Sequence, residues 1–136
     1  MTANFAYALV QMLHNFGAVA VVGSPAAAWL WAREHRAAPA VLAWLVAAGW
    51  LVQALSGTGF AVVSHYSRGE LPEVAGVALL ALYVKVGCAA GSLGLVAYYL
   101  TRSAQSREKI QRWIWASLFA AGVAALSGAA VLRWYG

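Results

Sequence analysis

Four apolar runs, each long enough to cross a lipid bilayer, constrain this chain more than any other feature. They extend from about Phe5 to Trp31, Ala40 to His65, Val74 to Leu100 and Ile114 to Tyr135. A spanning helix needs about 20 predominantly apolar residues, because some 30 Å of hydrocarbon is crossed at about 1.5 Å per residue. Hydrocarbon offers no partner to a backbone N–H or C=O, so each run must satisfy its own polar groups, which a helix does. The polar stretches between the runs are short, so consecutive helices must lie antiparallel and adjacent. The expected fold is all-α: an integral membrane four-helix bundle, up-down-up-down, forming a single transmembrane domain over residues 1–136.

Composition excludes the main alternatives. The chain is 63% hydrophobic and 10% charged, against about 25% charged residues in a soluble domain. The formal net charge of +5 comes from basic residues in short loops beside apolar runs, where topology and anionic lipid account for them and nucleic acid does not. The single cysteine, Cys88, lies inside an apolar run, so neither a disulfide framework nor a cysteine-rich metal site is available. No Lys or Arg precedes Phe5, so the first run reads as a permanent span and not as a signal peptide, which starts with a basic segment.

Charge also orients the bundle. Arg33 and Arg36 lie in the first loop and Arg102, Arg107, Lys109 and Arg112 in the third, while the second sets Arg68 against Glu70 and Glu73. The positive-inside rule places the first and third loops in the cytoplasm of a bacterial-type inner membrane, with both termini outside. Trp29, Trp31, Tyr98, Tyr99, Trp113 and Trp115 then form an aromatic belt at the cytoplasmic interface, with Tyr66, Trp134 and Tyr135 at the other. Small residues predict the packing faces: Gly49, Gln53 and Gly57 on the second helix, and Ser117, Ala121, Ala124 and Gly128 on the fourth. Pro25 is a candidate kink in the first.

Ionisable groups inside a span cost about 2.5–3.5 kcal/mol or more when charged, so each one present needs a reason. Two lie well inside the runs, His14 and Lys85. Counted from the middle of each run at about 1.5 Å per residue, His14 lies about 6 Å to the outer side of the midplane and Lys85 lies near it. Gln53, Ser56 and Ser127 fall at similar depths, so all four helices can contribute to one polar cluster in the central and outer part of the bilayer. His65 is too far from the midplane to join it and, like His35, reads as an interfacial residue. The acidic residues, Glu34, Glu70, Glu73 and Glu108, lie in loops or at span ends. Lys85 therefore has no carboxylate in the membrane, and is expected to bond carbonyls and hydroxyls as a neutral amine or to pair with a bound group. A carboxylate-based ion relay is not expected.

Copper is poorly served, since Cu(I) favours thiolate and thioether ligands and only Met12 and Cys88 supply sulfur within the runs. Haem b fits better: the macrocycle supplies most of the coordination, and a neutral imidazole is a common axial ligand. His14 is the candidate haem-iron ligand, with Gln11, Gly17, Ala18 and Val21 around it at helical spacing. Lys85 is the second candidate ligand. Gln53, Ser56 and Ser127 are expected to tune the site through hydrogen bonds, and Arg68 and Arg133 to bind the propionates. For His14 and Lys85 the alternative is a purely structural pair bonded across helices.

Leu13-His14, the apolar stretch that leads to Gly23-Ser24, and Lys85 within Leu82-Tyr83-Val84-Lys85-Val86 together resemble the copper-resistance-D-like family of small membrane proteins. The chain is similar also to the bacterial four-helix protoporphyrinogen oxidases, which have a histidine in the first helix and a lysine in the third. The resemblance implies haem b at His14 and a ligand or substrate role for Lys85. The function expected from residues and resemblance is membrane electron transfer, between a quinol or other membrane donor and an acceptor outside the cytoplasm, alone or as a subunit of a redox complex. The alternatives are a porphyrin-oxidising enzyme at the same pocket and a non-catalytic assembly or metal-handling subunit. The lipid bilayer is the one obligatory partner, and a quinone and a second copy of the chain are candidates.

Overall fold

The computed structural model of the chain describes residues 2–34, 40–69, 76–102 and 108–135. Four α-helices account for them: α1 (Thr2–Glu34), α2 (Ala40–Arg68), α3 (Gly76–Arg102) and α4 (Glu108–Tyr135). Each contains a stretch long and apolar enough to cross a membrane, and the fold is the expected all-α membrane-spanning bundle. At several ends the helices overrun the apolar runs. α1 continues to Glu34, and α4 begins at Glu108 and not near Ile114, because helical hydrogen bonding does not stop where apolarity does. Pro25 lies within α1 and the helix continues through it.

The helices form a ring. α1 packs most extensively on α2 and α3 on α4; α4 closes on α1, and the α2–α3 contact is the thinnest. Pairings along α1 and α2 show their antiparallel course: Tyr7 meets Phe60, His14 meets Ser56, and Gly17 meets Gly49. α3 and α4 are antiparallel too, with Gly128 beside Ala81 at one end and Tyr99 against Trp115 at the other.

Glycine sets how closely α1 approaches its neighbours. A Cβ added to Gly49 would meet Ala20 Cβ at 3.0 Å and the Gly17 carbonyl oxygen at 3.1 Å, and one added to Gly122 would meet the Val21 carbonyl oxygen at 3.0 Å. Gly57, expected on the same packing face as Gly49, would meet nothing within 4 Å. On α4 the expected stripe is split: Ser117 and Ala124 face outward, Ala121 is half-buried, and Gly128 is buried beside the Ala81 carbonyl. Gln111, Ile114, Trp115, Leu118, Gly122 and Ala125 face the core with it. Small-residue spacing alone does not distinguish these two faces; the large side chains that fill the interior decide between them.

The core lies toward the end of the bundle that carries the α1–α2 connection. There Val21, Ala28, Ala43, Val46, Trp50, Val96, Tyr99, Trp115 and Leu118 pack as one cluster. Trp115, expected in an interfacial belt, is 0% exposed, and its ring packs edge-on to Tyr99 with centroids 4.8 Å apart. Trp29, Trp31, Tyr98 and Trp113 are exposed near that end of the bundle, and Tyr66 and Trp134 near the other.

Candidate functional site

In the half of the bundle nearer the chain termini, aliphatic packing gives way to a cluster of hydrogen-bonded polar side chains. Helical spacing aligns Gln53, Ser56 and Phe60 on one face of α2, and that face meets α1 at His14. Gln53 Nε2 donates to the His14 carbonyl oxygen at 2.6 Å, tying the two helices together. One turn away, Gly17 permits the approach: an added Cβ would meet the Gly49 carbonyl oxygen at 3.1 Å and Gln53 Cγ at 3.3 Å.

The His14 ring lies within reach of two polar partners and one aromatic one. Nδ1 is 2.7 Å from Ser56 Oγ, Nε2 is 3.4 Å from Lys85 Nζ, and Phe60 packs edge-on with ring centroids 5.6 Å apart. Hydroxyl chemistry assigns the tautomer. Ser56 has one proton to give and gives it to its own helix, to the Val52 carbonyl oxygen at 2.6 Å with the Gln53 carbonyl oxygen at 3.3 Å beside it. Its oxygen is left to accept, so His14 Nδ1–H is the donor. The Nε2 lone pair then points toward Lys85, whose Nζ donates to it at the long end of hydrogen-bonding reach.

Lys85 arrives from α3, which is not a ring neighbour of α1. Its long side chain bridges the diagonal of the bundle, and both His14 and Lys85 are half-buried. Of the remaining sequence candidates, Gln53 and Ser56 are buried in the cluster. Ser127 is exposed and donates to the Val123 carbonyl oxygen of its own helix at 3.0 Å, apart from the cluster. His65 is exposed, with its ring edge-on to Tyr66. His35 and the side chains of Arg68 and Arg133 lie outside the described residues. Gln11, expected beside His14, is on the outward face of α1, bonded to Asn15.

Phe60 was not legible as a site residue by its chemistry, since it is one of many apolar residues on α2. Its spacing from Ser56, four residues along the same face, is the signal that could have found it. Tyr7, two turns before His14 on α1, is another such aromatic residue, its ring 6.3 Å from that of Phe60.

Among the described residues, no three His, Cys, Asp or Glu side chains converge as a metal-binding group. What the cluster offers is one imidazole nitrogen with its lone pair presented and its other nitrogen anchored, plus one amine. No protein family, curated protein or solved structure matches the chain. The likeness to copper-resistance-D-like proteins rests on the residues around His14 and Lys85 alone, and the chain is a membrane-spanning four-helix bundle.

Proposed function

We propose that the chain is a haem b-binding membrane redox protein, with His14 Nε2 and Lys85 Nζ as the groups that would hold the iron. The observation that carries this reading is the state of His14. A metal-ligating histidine characteristically donates its other ring N–H to a fixed acceptor, which selects the tautomer and orients the ring. The Nδ1–H to Ser56 bond does both here, and Ser56 is itself held by the Val52 carbonyl. A second donor stands beside the imidazole: Lys85 Nζ lies 3.4 Å from Nε2, on a flexible four-carbon stem that would have to swing aside to admit a flat macrocycle between the two.

Bound there, haem supplies one-electron oxidation and reduction, at a potential set by its ligands and their hydrogen bonds. The chain's own residues do the rest. Gln53 fixes α2 to α1 at the level of the ligand, Ser56 holds the proton on Nδ1, and Phe60 packs against the imidazole edge. Arg68 and Arg133 remain the proposed partners of the propionates, a quinol the proposed donor, and the outer side of a bacterial-type inner membrane the proposed site of the acceptor. The basic residues at the other end of the bundle support that orientation.

An optical spectrum of the full chain, purified after expression with ample haem, is the test. The expected result is a Soret band that His14→Ala abolishes and Lys85→Ala shifts while the helices persist by circular dichroism. A protein that carries no haem, or whose spectrum is indifferent to His14→Ala, would overturn the proposal. The direct Nε2 to Nζ contact favours a second reading, in which the pair only locks helix register. That reading predicts no Soret band, and a double apolar substitution of His14 and Lys85 that leaves partner binding intact.

A further inference from the structure

The outward face of α1 carries polarity that its own bundle does not use. A shallow groove runs along it, lined by Ala8, Gln11, Met12, Asn15, Phe16 and Val19. Every lining residue belongs to one helix, so the groove has one wall and lacks the other. The residues follow a heptad seam: Ala8, Met12, Asn15 and Val19 alternate spacings of four and three, with Gln11 and Phe16 flanking them. The seam is open, Met12 being 51%, Phe16 67% and Val19 69% exposed.

The amides set this face apart from the other lipid-facing surfaces. Thr58, Thr101 and Ser127 are also exposed, but each hydroxyl donates to the carbonyl four residues back in its own helix. A hydroxyl is quieted in that way and an amide is not. Gln11 Nε2 donates to Asn15 Oδ1 at 2.9 Å, which leaves the two Asn15 Nδ2 hydrogens without a partner among the described residues. Asn15 lies near the middle of the span Asn4–Trp31, about 4 Å from its centre at about 1.5 Å per residue. A side-chain amide at that depth finds no water, and in membranes Asn and Gln characteristically hydrogen-bond between helices.

We propose that this seam is the interface of a two-fold homodimer, in which α1 packs parallel to α1 of a second copy and the two Asn15 amides bond to each other near the bilayer midplane. Self-complementarity identifies the occupant. Two copies with one orientation in the membrane are related by an axis along the bilayer normal, so equivalent residues meet at equal depth. An amide carries both donor and acceptor and pairs with its own kind. A polar residue at a core position of a heptad seam also specifies register and copy number. Ala8 lets the backbones approach at the outer end of the seam. The dimer does not depend on the haem assignment.

The test uses the full chain in native membranes, with Cys88→Ser removing its one cysteine. Single cysteines at Ala8, Met12 and Val19 are expected to give an oxidised product of twice the chain mass, while cysteines at Leu55 and Val84, exposed on α2 and α3, are not. In detergent, Asn15→Leu is expected to weaken self-association about 3- to 30-fold, the equivalent of about 0.6–2 kcal/mol for interhelical hydrogen bonds in membranes, with helicity unchanged. Absence of seam cross-links, equal cross-linking at the control positions, or a product containing a different protein would overturn the proposal. Unchanged association of Asn15→Leu would overturn the role of the amides. A monomer that retains a His14-dependent Soret band would refute the dimer alone.

Discussion

Ser56 illustrates how much one hydroxyl decides at this site. Its proton is committed to the Val52 carbonyl, so its oxygen dictates which imidazole nitrogen of His14 bears hydrogen. Ser56→Ala removes that acceptor and leaves an Nδ1–H that can either rotate away or tautomerise. If His14 ligates haem, retention should fall about 10- to 100-fold, the usual effect of losing an outer partner of a metal ligand, and Ser56→Thr should restore most of it. Titration of the haem-depleted protein, followed at the Soret band, measures both. Equal affinity in Ser56→Ala and the native chain would mean that the tautomer is set by something other than this hydroxyl. Candidate residues on α1, α2 and α3 were readable from the sequence because buried ionisable and polar groups are rare in a span. Which of them meet was not readable. Ser127 shares their depth, yet its hydroxyl is spent on its own helix, and Gln11, one turn from His14, turns to the adjacent outward face and bonds Asn15.

Between helices, close approach is decided glycine by glycine. Gly49 and Gly57 lie on the same helix, but one faces Ala20 and the Gly17 carbonyl at contact distance and the other faces open space. Gly49→Ala is therefore expected to destabilise the bundle by about 1–3 kcal/mol, the range for overpacked interiors, because backbone and a short side chain are what it would strike. Gly57→Ala should be neutral or slightly stabilising, since alanine favours the helix by up to about 1 kcal/mol. Reversible unfolding of the two variants in mixed detergent compares them directly, and a Gly57 variant as damaged as the Gly49 one would contradict the packing. The inward face of α4 makes a related point. Small residues lie on both faces, Ser117 and Ala124 outward and Gly122, Ala125 and Gly128 inward, and the inward ones are those accompanied by Trp115, Leu118 and Ile114, which fill the space between four helices.

At the scale of the whole molecule the bundle has two halves, one packed with aliphatic and aromatic side chains and the other drawn together by hydrogen bonds. If the basic loops face the cytoplasm, the polar half lies toward the outside. Reporter fusions check this: a periplasm-active reporter should work at residue 136 and a cytoplasm-active one after Arg107, and the reverse pattern would invert the orientation. Span number, helical class and the presence of costly polar groups were determined by the sequence alone. Hydrocarbon permits only internally satisfied backbone, and about 20 apolar residues are countable without coordinates. Tertiary structure alone decided which face of each helix looks inward. In a membrane the outer surface is as apolar as the core, so hydrophobic periodicity, which reveals the buried face of a soluble helix, carries little information. That is why Trp115 could be read as belt and proved to be core, and why the outward amides of Gln11 and Asn15 became visible as an unused face only once the bundle had closed without them.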